Sequence, residues 1–143
     1  MLPDKVFLDT SYVIALCSYR DKYHHIALRM AEEIEKKSIH LITTQGILLE
    51  IGNALARLNA RNAAARLLKS IENDPLIEII PLTDTLYKKG LSLFRERMDK
   101  EWGLTDCISF ITMKEHSINE ALTTDIHFHQ AGFKALLLEL YNK

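Results

Sequence analysis

Cysteine is scarce in this chain: Cys17 and Cys107 are the only two among 143 residues. That is too few for a disulfide framework, and they lack the paired spacing of a thiolate metal site, so they read as small buried hydrophobes of a reducing compartment. No apolar run approaches the roughly 20 residues of a membrane span. The start, Met1-Leu2-Pro3-Asp4-Lys5, has no apolar core behind a basic flank as a signal peptide does. A cytoplasmic protein without membrane contact is the expectation. Charge of one sign is also missing. The formal net charge of -1 disfavours a polybasic binder and leaves any polyanion to a local patch or to metal ions. No glycine-rich phosphate loop, low-complexity tract, Gly/Ser linker or fixed-period repeat occurs, which disfavours a phosphate-cradling nucleotide enzyme and a repeat array.

The chain does have the average content of a soluble globular protein, 48% apolar and 26% charged. Its length fits one domain, residues 1–143, able to bury about 70% of the unfolded surface. Val6-Phe7-Leu8 reads as a strand that stops at Asp9, with Thr10-Ser11 offering cap hydroxyls to a helix through Tyr12 to Leu16. From His24 to Lys36 apolar residues recur at helical spacing, and Lys36-Lys37 suit the end of the dipole. Ile39–Thr43 reads as a strand, Thr44 as a cap, Gln45–Ala60 as a long helix and Arg61–Ser70 as another. Ile77–Ile80 is a third strand. Thr83 or Asp84 caps a helix to about Met98, and Thr105 caps one to about His116. Ala121–Thr123 is a fourth strand ending near Asp125, and Ala135–Leu140 is either a fifth strand or a terminal helix.

Strands alternating with helices imply an α/β/α sandwich with a mainly parallel sheet of four or five strands. Sites in such sheets form at the carboxyl ends of the strands. Asp9 and Asp125 fall just past strands, while Glu50 and Asp106 lie in the first turns of helices that start near the same edge. At about 100° per residue, Glu50 sits at the border of the face that Ile47, Ile51, Leu55 and Leu58 define. Asp106 begins a helix that is apolar nearly all round, and free N–H groups there favour its ionised form. One such acid alone reads as a cap or a charge complementing the dipole. Four in one cleft repel one another and take up protons unless a cation neutralises them. An open cluster of Asp and Glu without His or Cys ligands calls for a hard divalent ion. Thr10, Thr105 and Thr124 put a hydroxyl beside three of the acids, suited to holding a metal-bound water or to capping.

Four segments, in order, resemble the PIN-domain family, including the toxin nucleases of VapBC-type toxin–antitoxin pairs. They are Phe7-Leu8-Asp9-Thr10-Ser11; Leu49-Glu50-Ile51-Gly52-Asn53-Ala54-Leu55; Leu104-Thr105-Asp106-Cys107-Ile108-Ser109-Phe110; and Leu122-Thr123-Thr124-Asp125 with Phe128 and Gly132-Phe133. The resemblance implies that Asp9, Glu50, Asp106 and Asp125 form an acidic pocket holding one or two Mg²⁺ or Mn²⁺ ions. It also implies cleavage of RNA, a homodimer and, for a toxin, a small antitoxin partner. Asp9, Asp106 and Asp125 are assigned as direct ligands, and Glu50 as a ligand or the base that orients water. Asn53, one turn beyond Glu50, is either a partner for a metal water or a surface amide. His127 and His129 flank Phe128 in a His-rich stretch that suggests transition-metal binding, but their odd spacing and loop context favour solvated side chains. Arg20, Arg57, Arg61, Arg66, Arg95 and Arg97 are candidates for phosphate contacts, though helix charges also serve solubility.

Two rivals stand beside this reading. A phosphatase of the haloacid dehalogenase type also places an acid after its first strand, but it needs a second Asp two residues on, where Ser11 stands. A catalytically silent PIN-like module for binding RNA or protein is expected to have lost at least one of the four carboxylates.

Overall fold

The structure is a computed structural model describing residues 2–143. Five parallel strands, β1 (Lys5–Leu8), β2 (His40–Thr44), β3 (Ile77–Ile80), β4 (Glu120–Leu122) and β5 (Lys134–Ala135), lie in the order β3-β2-β1-β4-β5. Phe7 pairs with Ile42 on one side and Ala121 on the other, which puts β1 at the centre. Such a strand is covered on both faces, and Val6, Phe7 and Leu8 are all buried.

Between β1 and β2 run α1 (Thr10–Cys17) and α2 (His24–Lys37); between β2 and β3, α3 (Gln45–Ala54) and α4 (Leu58–Asn73). The chain then turns back through α5 (Asp84–Glu96) and α6 (Leu104–Glu115) to β4, and α7 (Ile126–Gln130) joins β4 to β5. A short α8 (Leu136–Tyr141) follows. Right-handed crossovers that first run one way and then the other put helices on both faces of the sheet. They also leave a crevice past the carboxyl end of β1, where the direction reverses. Asp9 follows β1 at that crevice, and Thr123-Thr124-Asp125 follow the adjacent β4.

The helix on the second face is held by rings. Phe110 on α6 stacks edge-on against Phe128 of α7 and Trp102, each with ring centroids 5.0 Å apart, and packs 5.7 Å from Phe133. These are favourable aromatic separations that fix the start of α7 relative to α6.

Several boundaries differ from the sequence reading. The long helix from Gln45 ends at Ala54, and the next begins at Leu58. At about 100° per residue, an unbroken helix would carry the stripe Ile47, Ile51, Leu55 and the stripe Ala64, Leu67, Leu68, Ile71 on roughly opposite sides. Both stripes pack against the core or lie in it. The break at residues 55–57 lets both face inward. Asp9, rather than Thr10 or Ser11, caps α1. Gly103, rather than Thr105, caps α6, with its N–H donating to Asp106. The segment after Phe133 is both things expected of it: two residues of strand, then a helix. Cys107 is buried as expected, but Cys17, in the last turn of α1, is exposed.

Candidate functional site

Asp9 is 5% exposed and sits under two hydroxyls. Thr123 Oγ1 donates to its Oδ2 at 2.7 Å and Ser11 Oγ at 2.8 Å, with the Ser11 N–H at 3.4 Å. Each hydroxyl in turn accepts from the turn after β4: the Asp125 N–H donates to Thr123 Oγ1 at 3.0 Å and the Thr124 N–H to Ser11 Oγ at 2.9 Å. This network stitches the ends of β1 and β4 together. The other acids are held just as locally. Thr10 Oγ1 donates to Glu50 Oε1 at 2.8 Å, and the Gly103 N–H to Asp106 Oδ2 at 3.1 Å. The His127 N–H donates to Asp125 Oδ1 at 2.9 Å, which makes Asp125 the N-cap of α7.

All four carboxylates thus use one oxygen to fix the side chain. The second oxygens, Asp9 Oδ1, Glu50 Oε2, Asp106 Oδ1 and Asp125 Oδ2, have no hydrogen-bond partner among the described residues and are not sealed from solvent. The four acids line one cavity of about 380 Å³ together with Thr10, Ser11, Asn53 and Ala54. No Lys or Arg is in that lining. The structure thus brings the four acids singled out in the sequence to one cavity, although Glu50 lies in the second turn of α3, not the first.

The charges repel one another. Burial pushes the Asp9 carboxyl up to about 6, opposed by the Thr123 and Ser11 hydroxyls and reinforced by Asp106 and Glu50. Burial also raises Glu50 above the usual carboxylate range; the Thr10 hydroxyl opposes this, and the charges of Asp106 and Asp125 add to it. Asp106 is raised by burial and then by Asp125, against the Gly103 N–H and His127. A pocket in this state attracts a cation and repels a phosphate.

His127 corrects the sequence reading. It is not a solvated loop residue: its Nδ1 lies 3.1 Å from Asp106 Oδ2 and 3.3 Å from Asp125 Oδ1. Asp106, Asp125 and His127 each bring one ligand-type atom within 4.8 Å of the others. The Asp-x-His spacing at a helix start was the local signal, since a residue at N2 lies close to its own cap. His129 is exposed, as expected. Among the candidate arginines, Arg20, Arg57, Arg61, Arg66 and Arg95 are exposed. Arg97 is engaged by Asp99 through two bonds of 2.9 Å and lies over the Trp102 ring. Thr10 is bound to Glu50, and the hydroxyl that matters after β4 is Thr123, not Thr124. Ser11, where the phosphatase reading needs a second acid, is a ligand of Asp9 in the hydrogen-bonding sense.

Fold and site together define an α/β protein with an acidic cavity at the switch point of an all-parallel sheet. The chain belongs to the PIN-domain family, whose pattern it matches over residues 6–134. Among solved structures it is similar to VapC20 of Mycobacterium tuberculosis, described as a sarcin–ricin-loop-cleaving toxin. The two share 25% identity and a TM-score of 0.80, covering 91% of this chain and 97% of that one. FitAcB of Neisseria gonorrhoeae shares the fold at 18% identity and a TM-score of 0.61, with 92% and 98% of the two chains covered. Comparison with curated protein sequences finds no match. No helix among the described residues is long and apolar enough to cross a membrane.

Proposed function

We propose that this protein is a Mg²⁺- or Mn²⁺-dependent endoribonuclease that hydrolyses RNA phosphodiester bonds at the cavity formed by Asp9, Glu50, Asp106 and Asp125. The observation that carries the reading is that each of these carboxylates is fixed through one oxygen and keeps the other uncommitted and accessible. An array of hard oxygen donors without thiolate suits these ions. The absence of Lys and Arg from the lining means that a phosphodiester needs a bound cation to approach at all.

A divalent ion there, or a pair, supplies Lewis acidity toward the scissile phosphate and a water more acidic than bulk. The chain's own residues hold the donors. Thr123 and Ser11 fix Asp9 and favour its ionised form, partly offsetting its burial, Thr10 orients Glu50, and the Gly103 N–H orients Asp106. Asp9, Asp106 and Asp125 are the proposed direct ligands, and Glu50 a ligand or the base that orients water. The similarity to a toxin that cuts the sarcin–ricin loop favours RNA as substrate and the toxin half of a toxin–antitoxin pair. With it come a small antitoxin partner, a homodimer and a cytoplasmic location.

The test is direct. The protein cuts RNA with Mg²⁺ or Mn²⁺ present and stops with EDTA, while Asp9→Asn and Asp106→Asn, each still folded by circular dichroism, abolish cutting. Cleavage that survives both substitutions overturns the reading. Binding of RNA without turnover points instead to a silent module.

A further inference from the structure

One side chain in the acidic site touches two of its carboxylates from two different elements. The His127 backbone N–H caps into Asp125 Oδ1 at 2.9 Å, and its Nδ1 returns to within 3.3 Å of the same oxygen. The same Nδ1 is 3.1 Å from Asp106 Oδ2, at the start of α6. Carboxylate oxygens are acceptors, so an unprotonated nitrogen facing two of them would set lone pair against lone pair. The network therefore assigns the proton to Nδ1. A nitrogen that carries a proton between two acids is a donor and not a metal ligand, although its distance from them would suit either role. The partner oxygens, Asp106 Oδ1 and Asp125 Oδ2, are the ones left without hydrogen bonds.

We propose that His127 is the positioning residue of the acidic site: its Nδ1–H clamps Asp106 to Asp125 and turns the free oxygen of each toward a common divalent ion. This rests on the metal-dependent reading of the cavity given above. Groups that orient metal ligands from behind contribute about 10- to 100-fold to metal affinity. Fixing two ligands with one ring links the N-terminus of α6 to that of α7, which otherwise meet through the Phe110 and Phe128 rings.

Side-chain geometry separates clamp from ligand. The amide nitrogen of Asn falls where Nδ1 falls, and that of Gln falls where Nε2 falls. Neither amide nitrogen has a lone pair for a metal. The experiment measures Mn²⁺ binding to the full chain by calorimetry and RNA cleavage against Mn²⁺ concentration, for wild type, His127→Ala, His127→Asn and His127→Gln. Urea midpoints serve as the folding control. In the proposed role, Ala and Gln weaken Mn²⁺ binding about 10- to 100-fold, Asn stays close to wild type, and saturating Mn²⁺ restores the kcat of the Ala variant. Should the Ala variant not fold, the Asn and Gln pair decides alone. Asn as weak as Ala, Gln as strong as Asn, or an Ala variant that stays inactive at saturating Mn²⁺ each overturns the clamp. Wild type that binds Mn²⁺ alongside an Ala variant of equal affinity removes the clamp and leaves the metal reading intact. Wild type that binds no Mn²⁺ removes both.

Discussion

Asp9 shows how a single carboxyl is caught between solvation and neighbours. Its two hydroxyl donors favour the ionised form, yet burial outweighs them, and the folded protein holds that proton up to about 6 against an ordinary 3.8. A proton held more tightly in the folded state means that metal-free stability declines as pH rises from about 4 through 6. About two pKa units corresponds to a loss on the order of 2–3 kcal/mol. Glu50 and Asp106 are shifted in the same direction. Urea unfolding in EDTA should therefore give a lower stability at pH 8 than at pH 5 for wild type, and a smaller difference for Asp9→Asn. Equal differences in the two proteins would show that burial of this carboxyl does not govern the effect. At this scale the sequence exposed the four acids: Asp9 and Asp125 follow strands, Asp106 opens a helix, and Glu50 borders the apolar face of one. It hid the Thr123 hydroxyl that holds Asp9, and the reach of His127 to Asp106, because those partners lie 114 and 21 residues apart. Local pattern carries no information on such meetings.

Among the elements, the pairing of α5 with α6 depends on one missing side chain. A Cβ on Gly90 would lie 2.5 Å from Ile108 Cγ1 and 3.4 Å from the Ile108 backbone, so the helices can approach this closely only with glycine there. Gly90→Ala gains helix propensity of about 1 kcal/mol but overpacks the contact by about 1–3 kcal/mol. The expected outcome is a net loss of stability of up to about 2 kcal/mol, read as a lower urea midpoint. A raised midpoint would mean that Ile108 moves aside freely. Since α6 carries Asp106, the same substitution is expected to weaken Mn²⁺ binding. The first three strands and their alternation with helices were legible because each is a short run with β-prone apolar residues, ended by an acid, a cap or a proline. The end of α3 was not legible, because no proline or glycine marks residues 55–57 and only the opposed apolar stripes require a break. Nor did the sequence distinguish strand from helix after Phe133, where leucines and alanines favour neither as strand.

For the whole molecule, ion binding and folding stability are linked. An ion that binds only the folded chain stabilises it by about 2.7 kcal/mol at a hundred times its dissociation constant, a rise in Tm of about 8 °C for a domain of this size. Thermal melts at pH 8 with and without Mn²⁺ should show such a rise for wild type and little for Asp106→Asn. A wild-type melt that Mn²⁺ leaves unmoved would remove the ion from the account.

The bond between Thr123 and Asp9 spans 114 positions, and β5 pairs with β4 only after the chain has passed Lys134. A polypeptide still being synthesised therefore has Asp9 and Glu50 long before it has anything to set against them. The four carboxylates come together only once Asp125 has been made and β4 has paired with β1. A chain that stops short of Asp125 therefore carries three of the four acids without the fourth, whatever its helices have already formed.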